Sequence, residues 1–137
     1  MVEIINNNNR RVAIIVRAGF DPVKTGFITN NEDVLQVGYI VYGAGRSIVP
    51  HIHRLVERKI CGTPEILYVR KGRVRVDFYN DDKQKYSEAV IAIGDLILLI
   101  EGGHGFEMLE DSVMMEVKQG PYLGQLDKER FNNDSGK

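Results

Sequence analysis

Apolar positions in this chain recur in short runs with a period of two, and almost nowhere with the spacing of a helix face. In YVRKGRVRVDFY, Val74, Val76 and Phe78 alternate with Arg73, Arg75 and Asp77, just beyond Lys71-Gly72. Such alternation suits a strand with one buried and one wet face, and a Gly-containing pair between two such runs predicts a hairpin. The same pattern predicts strands over 11–17, 34–42, 47–53, 65–70, 73–79, 88–93, 96–100, 104–109 and 112–118, punctuated by Gly, Pro, Asn and Asp. Many short strands at close intervals predict an all-β sandwich or barrel. The longest apolar run, AVIAIGDLILLI at 89–100, is interrupted by Gly94-Asp95 and reads as two strands joined by a tight turn. It is too short to cross a bilayer as a helix.

Both ends read as frayed, at Asn6 to Asn9 and in the tail Asn132 to Lys137. The expected organisation is a flexible 1–10, one β-barrel domain over 11–126 and a C-terminal tail over 127–137. Within that domain, KQGPYLGQLDKERF follows the last strand, and its Pro121 to Gly124 reads as a turn that closes a barrel end or caps the site.

Several polar residues fall where the alternation calls for apolar ones. His51 and His53 stand one residue apart in a run that places them on the same strand face as Val49. Glu65 shares its parity with Leu67 and Val69, and His104 heads a stripe continued by Phe106 and Met108. Polar side chains on a core face are costly unless they are hydrogen-bonded, paired or bound to metal. Three imidazoles and one carboxylate on separate strands form a donor set for a first-row divalent metal, with positions left for water or substrate. The alternative is a set of neutral core histidines bonded to backbone carbonyls, with Glu65 in an ion pair.

These residues resemble the first motif of the cupin superfamily: G, five residues, HxH, then a glutamate followed by six residues and G. Gly45 precedes RSIVP and His51-Ile52-His53, and Glu65 precedes ILYVRK and Gly72. Eleven residues separate His53 from Glu65, so RLVERKICGTP is expected as an inserted loop. Glu57 fits the shorter His-to-Glu spacing but lies fourteen residues before Gly72, and Glu65 is the preferred ligand. Gly94 and the HGF at 104–106 resemble the second motif, although Ile100 and Met108 replace its proline and asparagine. The resemblance implies a double-stranded β-helix, a jelly-roll-like barrel, with metal held by His51, His53, Glu65 and His104. It also implies a homodimer, which the doubly apolar LQVGYIVYG supports independently.

Charge then narrows the partners. Eighteen Lys and Arg against nineteen Asp and Glu leave a net charge of −1, so no global positive field attracts nucleic acid or an anionic membrane. No helix-turn-helix pattern is present. The single Cys61 cannot form an internal disulfide, and the N-terminal stretch lacks a signal-peptide core, so a cytoplasmic location is expected. The turn glycines around 102–105 lack the Lys-Ser/Thr of a phosphate loop. The expected function is a small-molecule enzyme with a bound Fe, Mn, Ni or Zn ion. Glu57, Tyr68, Lys59 and Arg46 are its candidate acid, base or positioning groups. Sugar isomerases, epimerases and dioxygenases are the range the resemblance implies, with sugar or sugar-nucleotide modification favoured. Two alternatives remain open: a metal-free sugar-nucleotide isomerase using histidine as general base, and a ligand-binding regulatory module.

Overall fold

The computed structural model describes residues 1–131, and the expected tail at 132–137 lies outside the described residues. It is all-β and antiparallel, with ten strands: β1 (Val2–Asn7), β2 (Arg10–Val16), β3 (Gly26–Phe27), β4 (Gly38–Tyr39), β5 (Glu65–Lys71), β6 (Arg73–Tyr79), β7 (Lys85–Ala92), β8 (Leu96–Leu99), β9 (Gly103–Met108) and β10 (Val113–Lys118). The chain divides into two units. One comprises Met1–Phe20 with the chain from Thr63 onward, and the other Asp21–Gly62.

In the first unit a five-stranded sheet runs β1-β2-β8-β5-β10 and a three-stranded sheet runs β7-β6-β9; neither closes into a barrel. Their inner faces share one apolar core. Ala13, Ile15, Leu67, Val69, Ile97 and Leu99 come from the larger sheet, and Val74, Val76, Phe78 and Ile91 from the smaller. The alternation in RVRVDFY is realised here: Val74, Val76 and Phe78 are buried. On the opposite face of β6, Arg75 pairs with Asp77 at 2.8 Å and with Glu107 at 2.5 Å, and Lys85 reaches Asp77 at 2.7 Å. The outer face of the larger sheet is different in kind. Its outward positions include Ile4, Ile14, Leu98, Tyr68, Met115 and Val117, so this sheet is apolar on both sides.

Two turns carry out what their sequences require. Gly72 joins β5 to β6 at φ 81°, a left-handed conformation that glycine adopts without strain. Gly94 joins β7 to β8 at φ 85°, and Asp95 beside it is buried. Burial works against the Asp95 charge, but amide bonds from Ala18 and Ala92 and the Arg17 guanidinium outweigh it and hold its pKa below the usual value.

Three expectations are corrected. The N-terminus is not a frayed end: Val2–Asn7 forms β1, paired with β2 through a turn in which Asn8 adopts φ 53°. Isoleucines at 4 and 5 against the buried 12–16 run give this hairpin its apolar contact, which the Asn run masks in the sequence. The strand expected over 34–42 is reduced to β4, paired with β3 in the second unit. There Thr25 both donates to and accepts from the Val41 backbone, and Gln36 closes the intervening loop on Asn30 and Asp33. The strand expected over 47–53 does not form. Val49 and Ile52 are 78% and 92% exposed, no strand among the described residues pairs with this segment, and Pro50 cannot donate to a ladder.

Candidate functional site

The first unit brings together two of the residues singled out by pattern. Glu65 opens β5 with its side chain on the core face beside Leu67, and it is 5% exposed. His104 stands on β9 opposite Phe78 of β6. The two side chains meet across the core, His104 Nε2 lying 3.4 Å from Glu65 Oε2, although the residues belong to different sheets. The His104 ring facing the carboxylate lowers the Glu65 pKa; burial opposes this, and the charges of His104, Lys128 and Lys118 reinforce it. Phe106 packs its ring 5.5 Å from His104 and flanks the pair with an apolar surface.

That separation is informative about a metal. Two donors each bonded at about 2.1 Å to one cation stand roughly 3.0 Å apart in octahedral and roughly 3.4 Å apart in tetrahedral geometry. A buried carboxylate and an imidazole at 3.4 Å therefore fit two adjacent coordination positions. The same geometry also suits a carboxylate orienting an imidazole directly.

His51 and His53 belong to the second unit, on an exposed segment without regular structure. Their rings are 5.2 Å apart. His51 Nδ1 donates to the Val49 carbonyl at 2.9 Å. A metal-binding imidazole commonly has its second nitrogen tied in this way. Glu57, Lys59, Arg46 and Cys61 are exposed in the same unit. Among the described residues no group of three or more His, Cys, Asp or Glu side chains is gathered as a metal site.

Tyr68 sits on the opposite face of β5 from Glu65, paired with Met115 and Leu96, so it is not a partner for that carboxylate. Strand parity predicts this from the sequence, because 65 and 68 differ by an odd number. Residues that pattern reading left aside lie close to Glu65 instead. Lys118, on β10, is its direct cross-strand neighbour on the same face. Beyond Lys118 the chain turns through a 3₁₀ segment at Gly124–Asp127, where Thr63 donates to Asp127 at 2.9 Å. The signal available was the cation-rich KQGPYLGQLDKERF itself.

No protein-family model, curated protein or solved structure matches the chain. Among the described residues no helix is long and apolar enough to cross a membrane.

Proposed function

We propose that this protein is a cupin-type small-molecule enzyme whose reactive centre is built on Glu65 and His104 and completed by a divalent metal. The observation that carries this reading is the buried Glu65 carboxylate facing His104 at 3.4 Å, two donor atoms from different sheets at the spacing of neighbouring metal ligands. When bound, such an ion supplies Lewis acidity toward a hydroxy-carbonyl substrate or, as Fe(II), dioxygen chemistry. Glu65 contributes charge and His104 an imidazole nitrogen, while Phe106 flanks them with an apolar ring. The motif resemblance favours a sugar or sugar-nucleotide as substrate.

The experiment is elemental analysis of protein purified without chelator. Wild type is expected to carry about one equivalent of a first-row metal. Glu65→Gln and His104→Gln are each expected to lose most of it, with the β-sheet circular dichroism retained. Full occupancy in both variants overturns the metal centre.

A second reading is favoured by the direct Glu65 to His104 contact: Glu65 orients the ring and His104 acts as general base without metal. Chelation that removes the ion but leaves turnover intact selects this alternative.

Assembly is part of the same proposal. β10 has a single neighbouring strand among the described residues and presents Val113, Met115 and Val117, each about half exposed, beside Tyr68. An apolar strand at a sheet edge is suited to pair with its own copy, which gives the expected homodimer.

A further inference from the structure

We infer that the C-terminal segment forms an anion-binding pocket that receives a phosphoryl or carboxylate group of a small-molecule ligand. The pocket has a volume of about 180 Å³ and is lined by Lys118, Tyr122, Gly124, Gln125, Lys128 and Arg130. Three of its side chains are cationic. Of the acids beside it, Asp127 is occupied by the Thr63 hydroxyl at 2.9 Å and lies 3.9 Å from Lys118, and Glu65 faces Lys118 across the strands. Glu129, which alternates with the two outer cations along the chain, is drawn away to Lys83 at 2.5 Å. Among the described residues Lys128 and Arg130 form no ion pair within 4 Å, the Lys128 charge acting on the Glu65 carboxylate from further away. With Lys118, Lys128 and Arg130 against Asp127 and Glu65, the surroundings of the pocket carry a formal charge of +1 by 3 − 2.

The lining has the chemistry of anion recognition beyond its charge. The Arg130 guanidinium offers a planar fork of donors, the lysines offer point charges, and the Gln125 amide adds a neutral donor. Tyr122 stands over the Lys118 ammonium at 5.4 Å and holds that long side chain in place. The base of the pocket is fixed, because Lys118 is tied into the β5–β10 ladder and the Thr63 to Asp127 bond anchors the 3₁₀ segment beside it. A volume of this size accepts one charged group and leaves the rest of the ligand outside.

Position gives the pocket its meaning. Lys118 faces Glu65 directly across the two strands, so a ligand held by its anionic end has its neutral part beside the Glu65 and His104 pair. This orientation rests on the reading of that pair as the reactive centre; the pocket itself does not. The substrate class that follows is a small molecule with a terminal phosphate, diphosphate or carboxylate.

Isothermal titration of the protein as purified, with inorganic pyrophosphate and with malonate as separate probes, tests this. At least one probe is expected to bind saturably at one site per chain and to weaken as sodium chloride is raised. Lys128→Ala and Arg130→Ala, both at exposed positions, are expected to weaken it about tenfold each, while Lys24→Ala in the second unit leaves it unchanged. Pyrophosphate binding alone assigns a phosphoryl group, malonate alone a carboxylate, and both together the shared chemistry. Binding is expected to persist in His104→Gln, which separates this pocket from the proposed metal centre. No saturable binding of either probe, or binding indifferent to Lys128→Ala and Arg130→Ala, overturns the inference, whatever the metal content proves to be.

Discussion

Arg17 Nη1 lies 2.9 Å from Asp95 Oδ2, joining the end of β2 to the β7–β8 turn across 78 positions of sequence. Arg17 also grips Glu3 through two bonds of 2.7 and 3.0 Å and donates to the Val90 carbonyl. Asp95 thus satisfies two backbone amides and one guanidinium from a nearly buried position. Asp95→Asn is expected to cost about 1–3 kcal/mol at neutral pH, because one oxygen acceptor becomes a donor facing donors. The pH dependence follows from the lowered folded pKa. Stability from the carboxylate is fully present above the unfolded value of about 4 and is lost as pH falls through the folded value. Urea unfolding of both proteins from pH 7 down to pH 3 checks this: the gap between them should narrow on the acid side.

The Gly72 turn offers a backbone test. An added Cβ would meet the Asp111 carbonyl oxygen at 2.6 Å and crowd the Ser112 hydroxyl, at a residue whose φ is already positive. Gly72→Ala should lose about 1–3 kcal/mol and several degrees of thermal midpoint. Gly19→Ala, where a Cβ meets nothing within 4 Å, should change stability by less than about 0.5 kcal/mol. Equal midpoints for the two variants would contradict the turn geometry.

Glu65 on a core face is expected to be a liability for the fold. It stands in the stripe of Leu67 and Val69, beside Leu99 of β8. Glu65→Leu combined with His104→Leu should leave stability unchanged or raise it by up to about 2 kcal/mol, since apolar side chains replace both members of the pair. Metal content and turnover should be lost in the same protein. A large loss of stability would show that the carboxylate serves architecture instead.

Phe78, 2% exposed, is among the largest fully enclosed side chains, and it lies opposite His104 across β6 and β9. Phe78→Ala should cost about 3–5 kcal/mol through lost burial and the cavity left behind. Chemical denaturation measures the loss directly.

Assembly has its own readout. Met115→Glu combined with Val117→Glu places charges along the exposed face of β10. Sedimentation equilibrium should give a dimer for wild type and a monomer for the double variant, with the monomer still folded. A monomeric wild type sinks the homodimer.

Alternation along the chain determined much of this protein by itself. The β5–β6 hairpin, the Gly94-Asp95 turn, the inward parity of Glu65 and the strand carrying His104 all follow from side chains that point to opposite faces at successive positions. The outward parity of Tyr68 follows in the same way. Such features depend on neighbours a few residues apart, so the sequence holds them locally. Tertiary structure alone decided which strands became neighbours. It paired β1 with β2 despite the asparagines between them and left 47–53 outside any ladder, because a strand forms only where another backbone accepts its hydrogen bonds. It also set Glu65 against His104, and Lys118 against Glu65, since contacts between residues dozens of positions apart depend on sheet order and packing, which no local period encodes.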